Sequence, residues 1–174
     1  MESIVLGGGC FWCLDAAYRL INGVTSTVCG YAGGTADSAD YYKVSSGATG
    51  HAEVVQVQFD PSIITLKEIL DVFWVVHNPT SLNFQGNDHG PQYRSVIFYK
   101  GDRQYLVAEQ SIADIQKLWD QPIVTELTSL ETFYPAEDYH QDYFNKNPTQ
   151  GYCQIIINPK LKKLRQKFAS NLKP

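Results

Sequence analysis

Two hydrophobic periods alternate along this chain, and the switches between them lay out its elements. Ser3 to Leu6 is a short apolar run ending in three glycines, as expected of a strand that enters a tight turn. Phe11 to Ile21 carries apolar residues at helical spacing and closes at Asn22-Gly23, after which Val24 to Tyr31 returns as a strand. Ala32 to Gly50 is a long loop rich in Gly, Ser, Thr and Asp, with one helical turn around Tyr41, Tyr42 and Val44. Loops of this length without regular structure are often functional. Glu53 to Phe59 alternates as a strand that stops at Asp60-Pro61. Thr65 and Glu68 then form a capping box, and Leu66, Ile69, Leu70, Phe73 and Trp74 make one apolar helical stripe. His77, at the end of that stripe, reads as a histidine interacting with the helix dipole.

Asn78 to Gln92 is a second polar loop, followed by a strand from Arg94 to Lys100 and a helix from Arg103 to Trp119. Ala108, Ile112, Ile115 and Trp119 form the inner face of that helix. Val124 to Leu127 is read as a strand, Ala136 to Asn145 as helical and Tyr152 to Ile157 as extended. Asn158-Pro159 caps and starts a terminal helix, with Leu161, Leu164 and Phe168 inward and Lys160, Lys162, Lys163 and Lys167 on a solvated face. This order predicts an α+β fold: a two-layer sandwich with a ferredoxin-like core of mixed, mainly antiparallel sheet, helices on one face and a long C-terminal extension.

Composition narrows the function classes. With 174 residues, 44% hydrophobic and 18% charged, residues 1–174 are expected to form one globular domain. A net charge of -4 supplies no broad basic field for nucleic acid. The N-terminal residues lack a basic leader, and no apolar run approaches a membrane span, so a cytoplasmic monomer without membrane contact is expected. In a reducing compartment Cys10, Cys13, Cys29 and Cys153 point to redox chemistry, metal binding or inert burial rather than a disulfide framework.

Three constellations carry candidate chemistry. Cys10 sits where a glycine turn feeds a helix, and the amides and dipole there can draw a thiol well below its usual pKa of about 8.5. Cys10 is therefore a candidate nucleophile, although a small buried hydrophobe is the plain alternative. Cys10 and Cys13 have the spacing of a dithiol redox pair, which leaves a general dithiol-disulfide oxidoreductase open. No second close Cys or His pair completes a zinc site, and no metal is expected. Glu53 opens an apolar strand, so its carboxyl can be buried, protonated and able to donate. In the loop from Gln85 to Ser95, Tyr93 just before a strand, with Asp88 five residues earlier, could hydrogen-bond a substrate oxygen.

Together these stretches resemble the peptide methionine sulfoxide reductase A family. The resemblance rests on Gly9-Cys10-Phe11-Trp12, Gly30-Tyr31-Ala32-Gly33-Gly34, Thr49-Gly50-His51-Ala52-Glu53 and His77-Asn78-Pro79-Thr80. It continues through Gln85-Gly86-Asn87-Asp88, Gln92-Tyr93-Arg94-Ser95 and Ala136-Glu137-Asp138-Tyr139-His140-Gln141. It implies reduction of the S epimer of methionine sulfoxide, free or in oxidised proteins, with Cys10 attacking sulfur and becoming a sulfenic acid. It further implies Glu53 as proton donor, Tyr41 and Tyr93 as oxygen-binding hydroxyls, and Phe11 and Trp12 as a methyl pocket. By the same mapping Asp88 orients the two tyrosines, and Cys153 is the first choice of resolving thiol. Thioredoxin, or dithiothreitol in its place, is implied as reductant, with no bound cofactor. Cys13 departs from the family's small residue, and Asp15 from its glutamate, so Cys13 competes with Cys153 as resolver or relays between Cys10 and Cys153. Cys29 is expected to be buried and inert.

Overall fold

In the computed structural model, which describes residues 1–174, the chain runs β1 (Glu2–Gly7), α1 (Phe11–Arg19), β2 (Val24–Ala32), α2 (Tyr41–Ser45), β3 (Ala52–Phe59) and α3 (Leu66–Val76). It continues with β4 (Phe84–Gln85), β5 (Asp88–His89), β6 (Val96–Tyr99), α4 (Gly101–Gln116), β7 (Glu126–Ser129), β8 (Phe133–Pro135), α5 (Tyr143–Lys146) and α6 (Asn158–Lys167). One six-stranded sheet has the order β7-β6-β1-β3-β2-β8. Its centre, β6-β1-β3-β2, is antiparallel throughout, and with α1 and α3 as the connections it is the ferredoxin-like arrangement. Only β7, parallel to β6, makes the sheet mixed. No helix is long and apolar enough to cross a membrane.

Alternation within the strands divides the core. Ile4 and Leu6 of β1 and Val55, Val57 and Phe59 of β3 face the helices, within a cluster of 32 buried residues that also takes in α1, α3 and α6. Val5, Ala52 and Val54 point the other way, into a small cluster with Ala32, Val96 and Phe98. The capping box is formed, with Glu68 N–H donating to Thr65 Oγ1 and Thr65 N–H to Glu68 Oε1, both at 3.2 Å. Trp74 Nε1–H donates to Ser111 Oγ at 2.8 Å and ties α3 to α4.

Several segments differ from the sequence reading. The polar loop Asn78 to Gln92 contains the short β4-β5 hairpin. Phe133 to Pro135 adds an edge strand to β2, and Gly30 is required there because a Cβ would strike the Phe133 ring and the Tyr134 carbonyl. The helix read over Ala136 to Asn145 is only a 3-10 turn at Asp138–His140 and the four-residue α5. Bonds to β2 and α1 hold the segment instead. Gln141 Oε1 accepts from Cys29 N–H at 2.8 Å, Gln141 Nε2 donates to Cys29 O at 3.0 Å, and Asp142 N–H donates to Asp15 Oδ2 at 2.9 Å.

The largest correction concerns Tyr152 to Ile157, read as extended and found helical. Cys153–Ile157 forms one π-helical turn that runs directly into α6. The β-branched run Ile155 to Ile157 mimics a strand, but Cys153, Ile157, Leu161 and Leu164 are all buried, a stripe at helical spacing that tertiary packing selects. Pro159 lacks an N–H and its ring crowds the preceding carbonyls, and the wide turn before it absorbs that misfit. A strand would place Ile155 and Ile157 on one face, whereas here Ile155 is 72% exposed and Ile157 is fully buried. Ile157→Ala should therefore cost about 2–5 kcal/mol in urea unfolding, against about 0.5 kcal/mol or less for Ile155→Ala; equal costs would contradict the helical stripe.

Candidate active site

The turn from β1 into α1 is built for close approach. A Cβ on Gly8 would lie 2.8 Å from the His77 ring, and Gly9 has a φ of +85°. Gly9 N–H donates to Tyr93 O at 3.1 Å, which fastens the Tyr93 loop to the turn. His77 is not a charged partner of the helix dipole. Burial pushes its pKa down to about 3, and the neutral ring bridges Phe73 O at 2.6 Å and Ser95 Oγ at 2.7 Å.

Cys10 occupies the N-cap of α1, and its side chain caps nothing. Phe11 N–H, the first amide of the helix, donates instead to Glu53 Oε1 at 3.1 Å. Glu53 lies opposite Tyr31 in the β2-β3 ladder and is 1% exposed. Burial raises its pKa to about 8, opposed by the Phe11 amide and reinforced by Asp88, so the carboxyl is protonated at neutral pH. The Cys10 thiol is likewise pushed up, first by burial and next by Glu53, with Trp12 N–H acting in the opposite sense. This corrects the expected lowering at a helix start. Burial and the nearby Glu53 outweigh the Trp12 amide, while Phe11 N–H is committed to Glu53.

Tyr41 begins α2, whose cap Asp40 accepts from Lys43 N–H at 2.8 Å. Glu137 fixes that start, accepting from Tyr41 N–H at 3.0 Å and from Tyr31 Oη–H at 2.8 Å. The hydroxyls of Tyr41 and Tyr93 are both shifted up, by burial and then by Glu53, with Cys10 contributing to each. Both tyrosines therefore belong to the surroundings of the Cys10-Glu53 pair and keep their protons. Phe11 is fully buried, with its ring 5.8 Å from Tyr31 and 4.9 Å from His140. Trp12, partly buried, stacks on Tyr143 at 3.7 Å and 5°.

Three residues from the C-terminal part enter the site without having been singled out. Trp12 Nε1–H donates to His140 Nδ1 at 3.0 Å, so a neutral His140 carries its proton on Nε2, which is buried without a partner. Tyr143 supplies the stacking face for Trp12, and Tyr152 Oη–H donates to Asp88 Oδ2 at 2.8 Å. Asp88 thus orients Tyr152, with no hydrogen bond to Tyr41 or Tyr93, because the helical form of the Cys153 segment turns Tyr152 inward. A tyrosine next to a cysteine and a histidine inside Tyr139-His140-Gln141 were the signals available in the sequence.

All four cysteines are free and buried. Cys13 is one helical turn beyond Cys10, with its N–H donating to Cys10 O at 3.1 Å and its Sγ 3.9 Å from Tyr152 Oη. Cys153 is fully buried on the α6 side of the same core. Cys29 Sγ faces Phe11 O at 3.8 Å, behind the site.

The family described as Peptide methionine sulfoxide reductase matches residues 2–172. Curated relatives named Peptide methionine sulfoxide reductase MsrA include one from Polynucleobacter asymbioticus, 51% identical over 100% of this chain and 93% of its own length. One from an Arthrobacter species is 54% identical over 98% of both. Reduced Mxr1 from Saccharomyces cerevisiae superposes with a TM-score of 0.83 at 37% identity, covering 87% of this chain and 88% of that one. Mxr1 in complex with Trx2 gives 0.58 at 28% identity, covering 82% and 84%.

The buried Glu53 carries a stability signature. Its folded pKa, about 8, lies above the ordinary 4.5, so the native state holds more protons between these values and stability falls as pH rises through them. Glu53→Gln should remove this component, worth on the order of a few kcal/mol. The check is urea unfolding at pH 5 and pH 8.5; an unchanged pH slope in the variant would count against the assignment.

Proposed function

The chain belongs to the peptide methionine sulfoxide reductase family and reduces methionine sulfoxide to methionine, and from that premise we propose that it acts on the S epimer, free or in oxidised proteins, with Cys10 as nucleophile and Glu53 as acid. The observation that carries this reading is a protonated, fully buried carboxyl beside a buried thiol at a helix start. Cys10 sulfur attacks the sulfoxide sulfur while Glu53 gives its proton to the oxygen. The thiol proton restores Glu53, and oxygen transfer leaves Cys10 as S–OH and the substrate as a thioether. Atoms balance without a cofactor: one thiol and one sulfoxide become one sulfenic acid and one methionine.

Tyr41 and Tyr93 keep their protons and donate to the oxygen as negative charge develops on it. Phe11 and Trp12 receive the methyl group, with Trp12 held in place by Tyr143 and His140. Cys13 is the first resolver. It follows Cys10 at the Cys-x-x-Cys spacing of a dithiol redox pair, with its N–H bonded to Cys10 O at 3.1 Å. Cys153, fully buried in a helix, reaches the pair only after its turn unwinds, and serves second. Thioredoxin then reduces the final disulfide, a reading supported by the Mxr1 complex with Trx2.

Cys10→Ser is expected to abolish turnover of the S-epimer sulfoxide with dithiothreitol, and Glu53→Gln to slow sulfenic acid formation by about 10²–10³-fold. Wild-type turnover should decline above pH about 8 as Glu53 ionises. Stopped-flow rates from pH 6 to 9 check this, and a wild-type rate in Glu53→Gln would remove the acid role. After one equivalent of sulfoxide, peptide mass mapping should find a Cys10–Cys13 bond in Cys153→Ser.

A further inference from the structure

We propose that Tyr152 is a catalytic residue of the resolving step, its hydroxyl taking the Cys13 thiol proton and passing its own to Asp88 as Cys13 attacks the Cys10 sulfenic acid. The inference rests on the reading of Cys13 as first resolver. It begins with a proton inventory. A tyrosine hydroxyl has one proton, and that of Tyr152 is engaged with Asp88 Oδ2 at 2.8 Å. Its oxygen can then only accept from the Cys13 thiol, 3.9 Å away. The three groups form a directed chain, S–H to O–H to carboxylate, pointing away from the sulfur that must become nucleophilic.

Cys13 needs such help. It is 1% exposed, and burial raises its pKa, so left alone it stays a thiol and a poor attacker. Lys160 of α6 lies near enough to act in the other direction and favours the thiolate as it forms. The far end of the chain opens on solvent. A cavity of about 710 Å³, with Asp88, Tyr152 and Lys160 in its wall between Trp74 and Trp119, gives water a path to the Asp88 carboxylate. The edge of the Tyr152 ring against Trp12, 5.8 Å between centroids at 79°, holds the hydroxyl in place.

The step balances. The Cys13 S–H bond and the Cys10 S–O bond break, the S–S bond forms, and the departing hydroxide leaves as water with a proton from Glu53. Asp88 releases the Cys13 proton to the cavity, and solvent restores Glu53. The net change is one sulfenic acid and one thiol to one disulfide and water, with Cys13 oxidised and Cys10 reduced.

The test uses the full chain in a Cys153→Ser background, where Cys13 is the intended resolver. After one equivalent of sulfoxide, methionine release and Cys10–Cys13 disulfide formation are followed separately, with dimedone trapping any sulfenic acid. Tyr152→Phe keeps the ring and removes the relay. The ratio of disulfide rate to methionine-release rate should drop about 10²-fold, with dimedone-reactive Cys10 accumulating. Asp88→Asn should lower the same ratio. Between pH 7 and 8, below the range where Glu53 is mostly ionised, the same ratio should rise more steeply with pH in Tyr152→Phe than in the parent, because Cys13 must then lose its proton without the relay, a change in slope that a merely structural defect would not show. An unchanged ratio in Tyr152→Phe overturns the relay while leaving Cys13 as resolver. Absence of any Cys10–Cys13 disulfide in the Cys153→Ser background overturns the resolver reading and the relay with it.

Discussion

Glu53 is a carboxyl in the middle of a sheet, and the rest of the site is arranged around the cost of keeping it there. An ionised carboxylate in that position would lose most of its hydration, so the group stays neutral and is held by a single amide, Phe11 N–H. That bond needs α1 to begin directly above β3. This in turn needs the glycine turn: Gly8 leaves room for the His77 ring, and Gly9 adopts a positive φ while its amide reaches Tyr93 O. Two hydrogen bonds, Phe11 N–H to Glu53 and Gly9 N–H to Tyr93 O, thereby tie the central strand, the first helix and the Tyr93 loop into a single register.

The same constraint decides the resting state of Cys10. A thiolate beside an ionised carboxylate would put two like charges in a water-poor site, and both groups respond by moving up and remaining neutral. In the proposed reaction the sulfoxide oxygen takes a proton as the sulfur is attacked, and the neutral Cys10-Glu53 pair would hold that proton until substrate arrives. It also leaves little free thiolate for oxidants to reach, since susceptibility follows thiolate character and exposure.

The strands and helices of the ferredoxin-like core were legible in the sequence because each has a clear period: alternation in Glu53 to Phe59, a stripe from Leu66 to Trp74. The environment of Glu53 was legible too, from its place at the head of an apolar strand. Two things were not. The pKa of Cys10 depends on its burial and on Glu53, brought beside it from a distant strand, neither of which the local sequence displays. Tyr152 to Ile157 carries conflicting local signals, β-branched residues against a four-residue spacing from Cys153 to Leu161, and only burial of that stripe resolves the conflict. Missing that helix also hid Tyr152 and its hydrogen bond to Asp88.

The C-terminal segment is held less by its own propensity than by staples from elsewhere. Asp15 accepts from Asp142 N–H, and Gln141 brackets Cys29 with two bonds. These set the start of the segment on α1 and β2, so that His140 and Tyr143 meet Trp12. Beyond them the chain is anchored by a π turn, a weaker helical form that often marks functional positions. Tyr152 and Cys153 are consecutive there and about 100° apart around the helix, one reaching Asp88 and the other the core. Bringing Cys153 out therefore turns Tyr152 away from Asp88. On the proposed order of the two thiols, proton transfer through Tyr152 comes before the unwinding that brings Cys153 out, because the two residues share one turn of helix.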